Sequence, residues 1–187
     1  MKLTTIVGAG FLLATMPTAA LAANSENPMV GGAEMFPDKN IVENALNSAD
    51  HTTLVAAVQA AGLADTLMGE GPFTVFAPTN EAFEKLPAGT VDDLLKPENK
   101  DTLVNILTCH VVGVDAHSPA IGQMIYDDGG EHPITTLGGC KLSASLGDNG
   151  ELLVTDENGN VATVQIPDVD QSNGVIHVID TVLLPKM

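Results

Sequence analysis

The chain is 187 residues long, with 24 acidic residues against seven lysines and no arginine, for a formal net charge of −17 at pH 7. This excludes nucleic acid and anionic lipid headgroups as partners, since binding to either depends on neutralisation by Lys and Arg. Acidity of this kind favours solubility and can gather divalent cations weakly without a dedicated cage.

The N-terminus reads as a secretory leader over residues 1–22. Met1-Lys2 is a short basic start, Ile6 to Met16 an apolar run, and Ala20-Leu21-Ala22 a small-residue cleavage site. Pro17-Thr18 interrupts the run before the roughly 20 apolar residues that a membrane span requires, so no stable membrane insertion is expected. No cysteine follows the cleavage region, which argues against a lipid anchor. The mature protein is expected in the periplasm or secreted, with about 165 of the 187 residues left for a single domain. Residues 23–38, rich in Asn, Ser, Pro and Gly, read as a flexible lead from which Met29, Met35 and Phe36 dock on a domain spanning 39–187.

Helical patterns fill the first half. Ile41-Val42, Ala45-Leu46 and Ala49 recur at helical spacing, as do Leu54-Val55, Val58, Ala61 and Leu63 after a candidate cap at Asp50. Phe73 to Ala77 is an alternating strand stopped by Pro78. Thr79 caps the helix that follows, with Asn80 and Glu81 in its first turn and Phe83 turned inward. Thr90 is placed as the cap of Val91 to Leu95, and Pro97 as the start of a helix with Leu103, Ile106, Leu107 and His110 on one face. Past Gly113 the pattern changes to strands: Ile134–Leu137, Leu142–Leu146, Leu152–Thr155, Val161–Ile166 and Val175–Val182. Asp148-Asn149-Gly150 and Asn158-Gly159 supply hairpin turns, and Gly129-Gly130 and Gly138-Gly139 further turns. Helices first and strands second predict an α+β domain, with an antiparallel sheet that the early Phe73 to Ala77 strand joins.

Three segments in order, Phe73 to Phe83, Leu107 to Gly113 and Asn173 to Pro185, resemble the blocks of the fasciclin (FAS1) domain family, over approximately Met35 to Pro185. The resemblance implies a wedge-shaped β-sandwich of about seven strands with a helical layer, and an extracytoplasmic adhesion or binding function without enzymatic activity. The tyrosine usual before the histidine of the middle block is Cys109 in this chain. The same resemblance makes His110, and the Pro167-Asp168-Val169 element before the last block, candidate binding residues. Thr79, Asn80, Phe83, His177 and Asp180 fall in the motif blocks as structural residues.

The residues themselves favour satisfied core histidines at His110 and His177, since no HxH, HExxH or CxxC supplies further metal ligands. Asp168 can equally be a turn former. Asp156-Glu157-Asn158-Gly159-Asn160 alternates oxygen ligands, but Val161 stands where a calcium loop needs glycine, so it reads as a hairpin tip. No metal and no cofactor is expected. For the two cysteines two readings stay open: a Cys109–Cys140 bridge in an oxidising compartment, or a reactive thiol at Cys109 beside His110. The leading functional expectation is an exported adhesion module for a cell-surface or matrix protein or glycan, with self-association. The alternative is a carrier of a small hydrophobic ligand, a pigment or lipid, in a groove lined by the Met-rich lead with Met68 and Met124.

Overall fold

The computed structural model describes residues 27–186, so the leader segment lies outside the described residues. Within the stretch read as a lead, β1 (Met29–Val30) and β2 (Ala33–Glu34) form a hairpin. Val30 and Met35 are buried in the main core, whereas Met29 is exposed. Asn44 fastens this segment to the body: its carbonyl accepts from Phe36 N at 3.1 Å, and its amide donates to Phe36 O at 2.8 Å and also to the Gln171 side chain.

Helix α1 (Ile41–Asn47) opens with a reciprocal capping box, Asn40 accepting from Glu43 N and Glu43 accepting from Asn40 N. A 3-10 turn at Ala49–His51 leads into α2 (Thr52–Ala61). Asp50, expected as the cap of α2, lies inside that turn. The acceptor comes instead from Asn80, whose Oδ1 takes Thr53 N at 3.0 Å and Thr52 Oγ1 at 3.2 Å. Leu54, Ala57, Val58 and Ala61 form the buried stripe of α2, and Gly62, at φ 74°, ends it in the left-handed conformation that glycine adopts without a Cβ penalty.

After α3 (Ala64–Leu67), strand β3 (Phe73–Pro78) leads into α4 (Asn80–Glu84). Thr79 Oγ1 accepts from Ala82 N at 3.3 Å at the start of α4. Helix α5 (Thr90–Leu94) has Gly89, not Thr90, in the cap position: the left-handed backbone at Gly89 turns the chain, so Thr90 already lies within the first turn. A 3-10 turn at Pro97–Asn99 continues into α6 (Lys100–Thr108), and β4 (Val111–Val112) follows. Helix α7 (Ser118–Asp127) departs from the expectation of strands alone beyond Gly113. It buries only Ile121 and Ile125, an i, i+4 pair, and leaves Met124 and Tyr126 exposed, so its apolar periodicity is faint.

The remaining strands are β5 (Glu131–Thr135), β6 (Lys141–Leu146), β7 (Leu152–Thr155), β8 (Val161–Gln171) and β9 (Gly174–Ile179). They line up as β4-β3-β9-β8-β7-β6-β5. Strand β8 serves both halves of the sheet: Val161–Thr163 pairs with β7, and Val164–Gln171 pairs with β9 through two register shifts. All pairs are antiparallel except β3 with β9, which run parallel from Phe73/Gly174 to Pro78/Ile179. The fold is thus α+β and wedge-like, with α1 to α6 gathered against the β3–β9 half of the sheet and α7 against β5 and β6. One core lies between those helices and alternate residues of β3 and β9, including Val75, Ala77, Ile176 and Val178. The other gathers Phe76, Ile179, Ile121 and Ile125 with the inward faces of β6, β7 and β8.

Candidate functional site

The three motif segments converge in space. Strand β3 lies between β4 and β9, so residues near 75, 111 and 176 sit side by side. A Cβ on Gly174 would overlap the Phe73 carbonyl, so the close parallel approach requires glycine there. Asn173 ties the same corner to the helices: its Oδ1 accepts from Ile41 N at 3.1 Å, and its Nδ2 donates to Leu67 O at 2.7 Å and Gly69 O at 2.9 Å. At the other end of β9, Asp180 Oδ1 accepts from Thr163 N at 2.8 Å and Oδ2 from Lys85 Nζ at 3.2 Å. Burial alone would raise the Asp180 pKa, but these donors outweigh it and hold the carboxyl below its ordinary value. Phe83 packs into the helical core and Asn80 spans two elements, its Nδ2 donating to Ala49 O at 2.9 Å.

His110 follows the last turn of α6 and is 2% exposed. Its Nδ1 donates to Ile106 O at 2.8 Å, and its Nε2 accepts from Leu183 N at 2.9 Å. That donor and acceptor pair is met by a neutral imidazole, and burial pushes the pKa down to about 4. His110 therefore latches the C-terminal segment onto α6 and presents no surface to a partner. His177, fully buried on β9, stacks on Phe76 with ring centroids 5.7 Å apart. Its Nε2 donates to Ala116 O at 2.9 Å and its Nδ1 accepts from Asp168 N at 3.2 Å. Burial lowers its pKa as well, against the opposing pull of the Ala116 carbonyl.

His177 thus fastens the Pro167-Asp168-Val169 element. This segment bulges from β8, with Asp168 at φ 55°. The Asp168 carboxylate accepts from Ser118 N at 2.6 Å and from the Ser118 hydroxyl, at the first turn of α7. Beside it, Asp170 Oδ1 lies 2.8 Å from His117 Nε2, and Asp115 lies 3.3 Å from His117 Nδ1. The Asp170 hydrogen bond raises the His117 pKa, opposed by slight burial and reinforced by Asp115. The outward face of the bulge is Pro167 and Asp170, whereas Val169 is fully buried. Val169 and His110, both candidate binding residues on sequence, have no exposed surface to contribute. His117, Ser118 and Asp170 were not singled out by the sequence, because α7 was not read and its neighbours carried no pattern.

Cys109 and Cys140 are joined by a disulfide, their Cα atoms 5.3 Å apart, which pins the end of α6 to the start of β6. No thiol is free in this structure. The Asp156 carboxylate is a turn organiser: Oδ1 accepts from Asn158 N and Asn160 N, each at 2.9 Å, and Oδ2 from Leu184 N at 2.9 Å. Among the described residues, no group of three or more His, Cys, Asp or Glu is placed to hold a metal ion. The methionines expected to share a groove are dispersed. Met35 lines an internal cavity behind α2, whereas Met68 and Met124 are partly exposed at two separate surface recesses.

These features define an α+β domain in which a parallel strand pair, a histidine latch and a disulfide join distant parts of the chain. Residues 49–185 match the family model of the Fasciclin domain, and the chain belongs to that family. It is 48% identical over 181 residues to Protein sll1483 of Synechocystis sp., covering 95% of this chain and 92% of that one. It is 36% identical over 171 residues to Immunogenic protein MPB70 of Mycobacterium bovis, covering 88% of this chain and 77% of the relative. A 132-residue stretch is 43% identical to transforming growth factor-beta-induced protein ig-h3 of Sus scrofa, covering 71% of this chain and 17% of that protein. The fold is similar to that of a FAS1 domain pair from the insect cell adhesion molecule Fasciclin I, with a TM-score of 0.68 and 19% identity, covering 78% of this chain and 51% of the pair.

Proposed function

We propose that this chain is an exported, non-enzymatic adhesion module that binds a cell-surface or matrix protein or glycan through the Pro167–Asp170 bulge and the loop before α7. Family membership carries the reading, and the bulge gives it a location. Asp168 and His177 hold the backbone rigidly while Pro167 and Asp170 face outward. A surface fixed before contact loses little conformational freedom on binding. The net charge of −17 favours a neutral or cationic partner surface. No helix among the described residues is long and apolar enough to cross a membrane, and attachment through protein or glycan contact requires none.

The test is binding of the purified protein to envelopes of its own host, with cell aggregation and surface attachment measured in a deletion strain. The double substitution Pro167→Ala, Asp170→Asn is expected to weaken envelope binding at least tenfold while leaving the unfolding midpoint nearly unchanged, since both side chains are exposed. Unchanged aggregation and attachment after deletion would sink the adhesion reading. Full binding by the double variant would move the site elsewhere on the domain.

A further inference from the structure

A cavity of about 50 Å³ lies between α2 and the helix-facing side of β3 and β9, lined by Met35, Val58, Leu67, Val75, Ala77, Ile176 and His51 among others. Its wall is apolar apart from a few side chains, three of which are accounted for. Both nitrogens of His110 are hydrogen-bonded, Gln59 is largely solvent-exposed, and Ser48 Oγ lies 2.8 Å from His51 Nδ1. His51 itself is 2% exposed, and its Nε2 is the one buried side-chain nitrogen or oxygen among the described residues with no hydrogen-bond partner.

The tautomer follows from counting protons. Ser48 Oγ has no other hydrogen-bond partner among the described residues. If the imidazole donated from Nδ1, the buried hydroxyl proton and the Nε2 lone pair would both be unmatched. If Ser48 donates to Nδ1, only the Nε2–H is left over, and this arrangement is favoured because an unmatched buried polar group costs about 1–3 kcal/mol. Burial lowers the His51 pKa against the opposing pull of the nearby Ala77 carbonyl, which makes no hydrogen bond of normal geometry with Nε2.

We propose that this cavity binds a small, largely apolar molecule bearing one hydrogen-bond acceptor, which takes the Nε2–H of His51. Water fits the space poorly as an occupant, since a buried water needs two to four polar partners and the wall offers one free donor. An apolar body against Met35, Val58 and Ile176 with a single carbonyl or ether oxygen on His51 matches the wall chemistry. A water-sized atom needs about 10–15 Å³ of such volume, so the cavity has room for a body of about four heavy atoms. The site lies inside the helical core, away from the bulge, and so stands independently of the adhesion reading.

Acetone and isobutene, matched in shape and differing in the acceptor, serve as probes on histidine-¹⁵N-labelled protein. Acetone is expected to shift the His51 Nε2–H resonance saturably, and isobutene to perturb the lining methyl groups without moving that resonance. Val58→Leu adds a methylene into the cavity, and is expected to keep the fold while weakening both probes at least tenfold. A persistent cross-peak between Nε2–H and bound water that acetone does not displace would overturn the proposal. So would acetone leaving Nε2–H unmoved, or binding equally well to Val58→Leu.

Discussion

Acidification should weaken this protein through His110 in a way that can be isolated. The imidazole is fully buried and neutral, with a folded pKa of about 4 against an ordinary 6.5. Between those values the unfolded chain binds the extra proton, so stability is complete above pH 6.5 and is lost as pH falls toward 4. At pH 5 the loss attributable to this one group is about 2 kcal/mol. Lowering the pH also neutralises part of the −17 charge, which relieves self-repulsion and works in the opposite direction. A comparison with His110→Gln removes that complication, because the amide retains an acceptor for Leu183 N but does not titrate. Urea unfolding followed by circular dichroism at pH 7.5 and pH 5 gives four stabilities. Wild type should lose about 2 kcal/mol more than the variant across that interval. Equal losses in both proteins would refute the latch as a titrating element.

Three further expectations are open to the same measurement. Reducing the Cys109–Cys140 bridge, which closes 31 residues of chain, should lower stability by about 3–4 kcal/mol, read as a drop in urea midpoint with dithiothreitol. Asn80→Ala should cost about 1–2 kcal/mol, because it strips the acceptor from the start of α2 and leaves the Ala49 carbonyl without its donor. No change would mean that water replaces the cap. Asp168→Ala should cost about 2 kcal/mol, since it removes the acceptor at Ser118 and places alanine at φ 55°; Asp168→Asn, which tolerates that backbone, should recover part of the loss.

What was legible in the sequence is what repeats locally. The buried stripes of α2 and α6, the Pro78–Thr79 joint and the strand β7 all follow from spacing and turn chemistry, and the structure places them as expected. Contacts made across the chain were not legible. Asn80 caps a helix 27 residues earlier, and nothing near Thr53 announces it. Strand β8 runs on to Gln171 because bulges at Ile166–Val169 let it continue past Pro167, where a local reading stops it. Helix α7 escaped because two inward isoleucines carry it. His51 was findable: carrying the Leu54, Val58, Ala61 stripe one step back lands on it, which marks it as a core residue whose nitrogens need partners.

The division of labour among the histidines bears on where binding can occur. His110 and His177 sit in the segments that carry the family resemblance, yet each spends both ring nitrogens on backbone: Ile106 of its own helix and the distant Leu183 for one, Asp168 and Ala116 for the other. A substitution at His177 would disturb β9 and the bulge together, and one at His110 would release the C-terminal segment from α6, so lost binding in either variant would report folding rather than contact. His117 behaves in the opposite way. It is partly exposed, paired with Asp170 and Asp115, and its pKa is raised, so its pairing holds below pH 6.5 and is lost as pH rises through the folded value. Solvent screening keeps that contribution to stability small, but it sits at the edge of the proposed contact surface. A partner that meets the bulge should therefore show a pH dependence of binding above pH 6.5 that stability shares only slightly. That separation distinguishes the exposed Pro167–Asp170 face from the buried residues that hold it in place.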